Sequence, residues 1–220
     1  MHSPLNVIVI GPPAAGKGTQ AERIAVGRGV PKISTGDMLR EAIQEGTELG
    51  LRAKPVIERG ELVSDDVMVG IVQQRLNRAD ARRGFVLDGF PRTVAQAKAL
   101  DRILAGRDPL IIIEIGVPDG ELMRRMAARR ICRSCSANGE LGDVRCRRCG
   151  GELVLRPDDE SADVRARRLQ VYARDTEPIV GYYRGRPTFR AVDGMQSPDR
   201  VAESIAAAID SVLETTGSSS

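Results

Sequence analysis

The sequence predicts an α/β fold in which a five-stranded parallel sheet is covered by helices on both faces. Five short apolar runs rich in Val or Ile alternate with helix-length segments, and most of them lead into Gly or Pro. Strands of a parallel sheet buried on both faces form continuous apolar runs, and helices usually connect them. The predicted strands are residues 5–10, 31–34, 85–88, 110–115 and 189–192.

A glycine-rich turn with one lysine follows the first predicted strand. Residues 11–19 read Gly-Pro-Pro-Ala-Ala-Gly-Lys-Gly-Thr, and a helical pattern continues from residue 20 to 28. In such a turn, backbone N–H groups and the helix N-terminus converge on a phosphate, and the lysine reaches the outer phosphates. The usual spacing holds up to Lys17, but Gly18 stands where Ser or Thr is common, and Thr19 comes one residue later.

A second candidate segment, residues 88–92, follows the third strand. Ligands bind beyond the carboxyl ends of parallel strands, so this segment and the glycine-rich turn should face one crevice. Asp88 ends the strand and Arg92 closes the segment. An acid in this place either caps a turn or holds Mg²⁺ through water, as phosphate-loop enzymes require.

Helix starts are marked by capping residues. Thr93 and Gln96 have the spacing of a capping box, and Pro118-Asp119 opens a segment that runs to Arg130. Ser197 precedes a proline and an acid at the start of the last helix. The apolar positions predicted to face the core along that helix are Val201, Ile205, Ala208, Ile209 and Val212.

Two regions interrupt the alternation and are predicted to be inserts. Residues 34–63 are helical and charged, whereas residues 128–161 carry all four cysteines and little helical periodicity. The core is then residues 1–33, 64–127 and 162–220. Both inserts are candidates for movement against the sheet.

The cysteines form two C-x2-C pairs separated by ten residues. Two such knuckles supply four thiolates to a tetrahedral ion, with no position left for a catalytic water. Two disulfides or inert thiols are the alternative, but disulfides are rare in the cytosol. We predict a structural zinc, while iron also accepts four thiolates. The predicted ligands are Cys132, Cys135, Cys146 and Cys149.

Several arginines fall where they could hold a transferring phosphate. Arginine is planar, always charged and able to bind phosphate oxygens through two hydrogen bonds. Arg125 and Arg129 are four residues apart on one predicted helix, so they should share a face. Arg156, Arg167 and Arg168 lie just beyond the cysteines. A single surface arginine is usually only a solvated charge. The expected position of these arginines beside the phosphate loop is the reason to predict that they bind phosphate.

Composition excludes other classes of function. A net charge of +3 and only three Phe, three Tyr and no Trp argue against a nucleic-acid-binding surface. No stretch reaches the about 20 apolar residues of a membrane span. The first apolar run has no basic leader, so a signal peptide is not predicted and the protein is expected in the cytoplasm.

Taken together, these motifs resemble the adenylate kinases, and specifically the bacterial long-lid type with a four-cysteine lid. The resemblance rests on residues 11–19, on Ser34-Thr35-Gly36-Asp37-Met38-Leu39-Arg40, on residues 88–93 and on the four cysteines. It extends through the segments 125–129, 156–159, 168–172, 182–183 and 192–194.

The resemblance implies a P-loop nucleoside monophosphate kinase fold with an AMP-binding insert and a small zinc-ribbon lid. It implies reversible transfer from MgATP to AMP, giving two ADP, by a monomer. ATP would bind at Ala14, Ala15, Gly16, Lys17, Gly18, Thr19, Arg125, Arg129 and the backbone near Gln196. AMP would bind at Thr35, Arg40, Glu61, Leu62, Val63, Gly89, Phe90, Pro91, Arg92 and Gln96. Arg156 and Arg168 would reach in from the lid, and the catalytic set would be Lys17, Asp88, Arg92, Arg125, Arg129, Arg156 and Arg168.

The sequence departs from that family in three places. Ala14 stands where the family usually has a glycine, and the lid between the cysteine pairs is short. One extra residue before Leu169 leaves Arg167 or Arg168 as the phosphate ligand; because a loop accepts an insertion more readily than a helix, we predict Arg168.

Two other functions remain open from the sequence. One is a kinase for UMP, CMP or another monophosphate, although the short-lid relatives lack such an insert. The other is a nucleic-acid-binding zinc ribbon joined to a nucleotide switch, which six arginines between residues 129 and 149 suggest. The low aromatic content and small net charge oppose it.

Overall fold

The computed structural model describes residues 5–107, 109–135, 137–139 and 142–217. Its main sheet is parallel throughout, with the strand order β2-β3-β1-β4-β7. The predicted fold class is therefore confirmed. The strands are β1 (Leu5–Ile10), β2 (Lys32–Ser34), β3 (Gly84–Asp88), β4 (Leu110–Gly116), β5 (Arg130–Cys132), β6 (Leu153–Leu155) and β7 (Phe189–Asp193).

Helices cover both faces of this sheet because its strands are apolar on both sides. Along β1, Ile8 packs into one hydrophobic cluster and its neighbours Val7 and Val9 pack into another. The helices are α1 (Lys17–Arg28), α2 (Thr35–Gln44), α3 (Glu48–Glu58), α4 (Asp65–Leu76), α5 (Val94–Ile103), α6 (Asp119–Ala128), α7 (Ala162–Val171), α8 (Pro178–Tyr183) and α9 (Pro198–Gly217). Residues of α4, α5 and α8 join the first cluster, and residues of α1, α6 and α9 join the second.

The predicted caps and strand limits agree closely with the structure. Each observed strand of the main sheet starts or ends within one residue of its prediction. The Thr93 hydroxyl accepts a hydrogen bond from Gln96 N, and Ser197 Oγ accepts one from Arg200 N. In α9, Val201 is buried together with Ile205, Ile209 and Val212, as the periodicity predicts, while Ala208 is partly buried.

One helix is shorter than predicted. α6 ends at Ala128, and Arg129 is extended, with a ψ of 126°. The predicted segment, which ran to Arg130, is therefore two residues too long, while Arg125 and Arg129 still line one common crevice. The physical reason is strand pairing, since the Arg129 carbonyl accepts a hydrogen bond from Arg156 N at 3.0 Å at the edge of the β5–β6 ladder.

The two interrupting regions differ in structure. Residues 34–63 contain α2 and α3, which pack on each other, whereas the cysteine region contains the antiparallel pair β5 and β6. Ser34 Oγ caps α2 by accepting from Asp37 N, and Thr47 Oγ1 caps α3 by accepting from Gly50 N. Across the described part of the chain, no helix has the length and apolarity needed to cross a bilayer.

Candidate active site

A crevice of about 560 Å³ opens at the carboxyl ends of the sheet strands. It lies where β1 and β3 run into their loops, and residues of both interrupting regions complete its walls. The structure brings the following predicted residues to this one crevice: Ala14, Ala15, Gly16, Lys17, Gly18, Thr19, Thr35, Arg40, Glu61, Leu62, Val63, Asp88, Gly89, Pro91, Arg92, Gln96, Arg125, Arg129, Arg156, Arg168 and Gln196.

Phe90 is the exception among the predicted binding residues. Its side chain is 1% exposed and packs in the hydrophobic cluster beside α4 and α5. It does not line the crevice, unlike its neighbours Gly89 and Pro91. Because the Phe90 side chain is packed in the core, it fixes the position of the loop and therefore of Gly89 and Pro91.

The glycine-rich turn forms a tight loop that leads directly into α1. Gly16, the residue before the helix, has a φ of 95°, which only glycine adopts readily. Lys17 is the first residue of α1, and its Nζ donates a hydrogen bond to Pro12 O at 2.7 Å. The unpaired N–H groups of the first turn of α1 therefore open toward the crevice, as anion-binding helix N-termini do.

Gly18 has a steric explanation. A Cβ on this residue would lie 3.2 Å from Asp88 Oδ2 and 3.5 Å from Asn138 Nδ2. A serine or threonine hydroxyl would extend further into the same space. The glycine thus lets the acid of β3 and an amide of the cysteine region approach the first turn of α1.

A network of arginines and aspartates lies at the crevice. Arg156 Nε donates to Asp158 Oδ1 at 2.6 Å, and Arg168 donates to Asp158 Oδ2 at 2.9 Å and also to Asp159. Arg129 lies 3.6 Å from Asp159 Oδ2. The charges of Arg156 and Arg168 outweigh burial and hold the pKa of Asp158 well below its usual range. Asp158 is therefore ionised, and the hydrogen bonds to Asp158 and Asp159 hold the guanidinium groups in place.

Other cations of the crevice are less well neutralised. Burial lowers the pKa of Lys17 to about 7 against the opposing charge of Asp88, and Arg92 and Arg129 lower it further. Burial and the neighbouring arginines also lower the pKa of Arg92 to about 10 and that of Arg129 to about 9. Such mutual repulsion is relieved by an anion bound among the cations, so the cluster is suited to a polyphosphate.

The structure distinguishes Arg167 from Arg168, the two candidates for the phosphate ligand after the extra residue. Arg168 lines the crevice and contacts both aspartates of the network. Arg167 points away, with 46% of its side chain exposed and its nearest acid, Glu61, 3.9 Å from the guanidinium. The register counted from Leu169 thus places Arg168 among the other cations.

An apolar slot extends from the cation cluster toward α2 and α3. Leu39, Ile57, Val63 and Met68 form its apolar lining, and Gln96 lies against it. Apolar walls with few polar groups are typical of sites for flat ligands. At the entrance, Thr35 Oγ1 donates to Gly89 O at 2.8 Å, and Arg40 donates to Asp37.

A second recess lies beyond the glycine-rich loop, toward α6 and α9. Arg125 donates from Nε to Glu121 Oε1 at 2.7 Å and from a terminal nitrogen to Gly194 O at 3.0 Å. Gln196 and Pro198 continue the wall. Arg125 is therefore held at its edge, and its face is available to a planar group.

The four cysteines meet in one cluster away from the crevice. Their Sγ atoms all lie within 4.8 Å of one another, and the pairs Cys132–Cys149 and Cys135–Cys149 are 3.4 Å apart. None of the four forms a disulfide. Around a zinc ion with Zn–S bonds of about 2.3 Å, tetrahedral sulfurs are separated by slightly less than 4 Å, so the cluster fits such an ion closely.

The structure adds site residues that the motifs did not single out. Asp158 and Asp159 hold the arginines, Glu121 holds Arg125, and Asn138 approaches Gly18. The two aspartates follow Arg156 after a single proline, so their acidic pair was a usable signal. Glu121 lies four residues before Arg125 on α6, so their spacing was also a usable signal. Nothing local marks Asn138, because it approaches Gly18 from a distant segment.

Comparison with known proteins agrees with this site. Residues 9–187 match the family described as Adenylate kinase. A relative of that name from Archaeoglobus fulgidus is 46% identical over 216 residues, covering 94% of this chain and 99% of the relative. Two others, from Geobacillus sp. and Syntrophobacter fumaroxidans, are 47% and 45% identical over 205 residues, covering 90% of this chain and 94% and 96% of the relatives. By both kinds of match, the chain belongs to the adenylate kinase family.

Proposed function

We propose that the chain transfers a phosphoryl group reversibly from MgATP to AMP, giving two ADP. The observation that carries this proposal is the cation cluster, which lies between the glycine-rich loop and the apolar slot. A donor on the loop and an acceptor in the slot would place their phosphates end to end among these cations. Phosphoryl transfer requires little of a protein beyond such positioning and charge.

On the donor side, we assign the ATP phosphates to residues 14–19. Backbone N–H groups of the loop bind phosphate oxygens, and Lys17 reaches the outer phosphates. The base of ATP lies in the recess between Arg125 and the backbone at Gln196, where the held guanidinium offers its face. Arg129 contacts the phosphoryl group as it moves.

On the acceptor side, we assign AMP to the apolar slot. Its base contacts Gln96 and the apolar lining, with Glu61, Leu62 and Val63 contributing backbone groups. Its phosphate lies near Thr35, Gly89 and Pro91. The cations that bind this phosphate are Arg40, Arg92, Arg156 and Arg168.

The transfer step uses positive charge rather than a general base. As charge spreads over the equatorial oxygens of the moving group, Lys17, Arg92 and Arg129 supply fixed donors around it. Asp158 and Asp159 keep Arg156 and Arg168 from swinging away. Mg²⁺ bound with ATP would neutralise phosphate charge, and the Asp88 carboxylate beside Gly18 is the group that would hold it through water.

The four thiolates hold a structural zinc ion in this proposal. Four protein ligands complete a tetrahedral shell, so the ion stabilises the lid and takes no part in chemistry. Free thiols arranged as ligands require a reducing compartment, which is the cytosol.

We assign residues 34–63 to an AMP-binding insert and 128–161 to the lid of a monomer whose core is the rest of the chain. Closure of both would exclude water, so that the phosphoryl group is transferred to AMP and not to a water molecule. The contact of Asn138 with the Gly18 region marks the point where the lid meets the loop.

A panel of acceptors tests the proposal. Purified protein with MgATP is offered AMP, UMP, CMP and GMP, and ADP formation is measured for each. AMP should give the highest kcat/KM by at least about tenfold. The Gln96 amide can pair with the donor and acceptor of one base edge, and it rejects bases whose donors and acceptors are arranged differently. A preference for UMP or CMP would replace the assignment with a pyrimidine monophosphate kinase.

A further inference from the structure

Asp65 contacts the base-reading glutamine from outside the crevice. It is the first residue of α4, and its Oδ1 accepts a hydrogen bond from Gln96 Nε2 at 2.8 Å. Its Oδ2 accepts one from Thr93 Oγ1 at 2.9 Å. Thr93 in turn caps α5 by accepting from Gln96 N. The carboxylate thus joins the start of α4 to the side chain and the backbone of Gln96.

These contacts determine which way the Gln96 amide faces. On one side the backbone N–H of Arg92 donates to Oε1 at 2.7 Å, and on the other side the carboxylate of Asp65 can only accept. A flipped amide would place N–H against N–H and oxygen against oxygen. Gln96 is 2% exposed, so water cannot compensate for either loss.

Two hydrogen-bonding positions of the Gln96 amide remain for a ligand: the second N–H of Nε2 and the second lone pair of Oε1. Because the amide cannot turn, the donor and the acceptor keep fixed positions. Adenine carries an amino donor beside a ring-nitrogen acceptor, and an amide pairs with such an edge through two hydrogen bonds. Hypoxanthine carries an oxygen where adenine has its amino group, so it requires the opposite order. An amide that turned freely would serve both bases.

We propose that Asp65 is a positioning residue that sets the preference for a 6-aminopurine over a 6-oxopurine monophosphate. It does so by preventing the Gln96 amide from turning, without touching the substrate. The inference rests on the proposed function, because it assumes that the acceptor base lies against Gln96. It predicts that loss of the carboxylate weakens discrimination more than it weakens catalysis.

The test compares AMP with IMP on the full-length protein. For Asp65→Ala, the ratio of the IMP to AMP dissociation constants, measured by titration calorimetry, should fall about tenfold, as expected for the loss of a hydrogen bond to a charged group. The KM for AMP should rise, while kcat at saturating nucleotide and the KM for ATP stay within about twofold. Asp65→Asn should give a smaller fall, about threefold, because an amide can face Gln96 with either atom.

Asp66→Ala is the matched control. Asp66 is the next residue in the same first turn of α4 and is exposed, so its removal changes the same charge at the same helix end. The ratio should not change in this variant. An equal fall would assign the effect to the charge of the helix end and overturn the proposal.

Other outcomes separate this inference from the proposed function. If the wild type phosphorylates AMP but Asp65→Ala keeps its ratio, the inference is wrong and the function stands. If the wild type does not phosphorylate AMP, the function itself fails. Should Asp65→Ala show no cooperative thermal transition, the Asp65→Asn ratio decides, and an unchanged value there overturns the inference.

Discussion

The sheet with its crevice and the cysteine region are stabilised by different forces. On the sheet, two large hydrophobic clusters surround strands whose residues are almost all buried. In the cysteine region, the buried members of the described cluster are Cys132, Cys146 and Leu153. The first region has enough apolar surface to fold around closely spaced cations, whereas the second combines little buried apolar surface with four clustered thiols that could hold a metal.

This difference has a functional consequence. The cations of the crevice repel one another, so the sheet and its helices must hold them at a cost in stability. If the proposed zinc is bound, the cysteine region is instead a small ribbon stabilised by its metal rather than by a large core. We therefore predict that loss of the metal unfolds the cysteine region and leaves the sheet folded. Changes of charge in the crevice should alter the stability of the sheet and leave the cysteine region unchanged.

Removal of one thiolate should have the largest effect, and only on the lid. Cys149 is the exposed ligand, and we expect Cys149→Ser to lower zinc from one per chain to less than half, since a structural zinc contributes about 10–16 kcal/mol to a small domain. Limited proteolysis should then cut within residues 128–161 while the rest of the chain resists. Ser134→Ala, a change to a non-cysteine residue within the other C-x2-C pair, should retain full zinc. Full metal content in Cys149→Ser would contradict a four-thiolate site.

Lys17→Ala should abolish most transfer without unfolding the sheet. The lysine is the fixed cation at the first residue of α1, and loss of one such donor typically costs about 10²–10³-fold in kcat. Steady-state ADP formation at saturating nucleotide measures this loss, and circular dichroism confirms the fold. Arg92→Ala is expected to behave in the same way. Normal turnover in either variant would refute the role of the cluster.

Arg168→Ala and Arg167→Ala form a matched pair. Arg168 lies in the crevice and Arg167 on the surface, so we expect a fall of about 10–100-fold in kcat/KM for the first and less than about threefold for the second. The reverse order would show that the sequence register should be counted from Asp158 instead.

The pKa of Lys17 predicts a pH dependence of stability in the nucleotide-free protein. Burial lowers this pKa to about 7 from 10.5, so the unfolded chain holds more protons than the folded one between these values. Lys17 therefore destabilises the protein most below pH 7, and this effect diminishes as the pH rises toward 10.5. Urea unfolding at several pH values should show Lys17→Met more stable than wild type at pH 7, with the difference shrinking by pH 9.5. A constant difference would argue against a buried charge.

The smallest effect is expected at Ala14, which has a φ of 61°. A left-handed alanine costs about 1–2 kcal/mol, and the greater freedom of glycine in the unfolded chain offsets about 0.5–1 kcal/mol of that. Ala14→Gly should therefore raise the free energy of unfolding by about 0.5–1 kcal/mol, measured by urea titration. Ala15→Gly, in the same loop but without a positive φ, should instead destabilise.

Some site features were predictable because they depend on neighbours in the sequence. The phosphate loop follows β1 directly, and the spacing of each cysteine pair is local. The end of α6 was not predictable, because Arg129 becomes extended to pair with Arg156, 27 positions away. The burial of the Phe90 side chain was not predicted for a similar reason, since it depends on the core residues that pack around a loop bordering the crevice.

The sequence by itself determined the positions of the five strands of the main sheet, the loop that leads into α1 and the two C-x2-C pairs. These features follow from hydrophobic patterning and from residues close together along the chain. Only the tertiary structure decided that Arg168 rather than Arg167 enters the crevice, that Asp158 and Asp159 hold the arginines, and that Asp65 orients Gln96. The contact between Asp65 and Gln96 joins residues 31 positions apart, whereas Arg156 and Arg168 lie 2 and 10 positions from Asp158. In each case the geometry depends on how the helices and loops pack around the crevice.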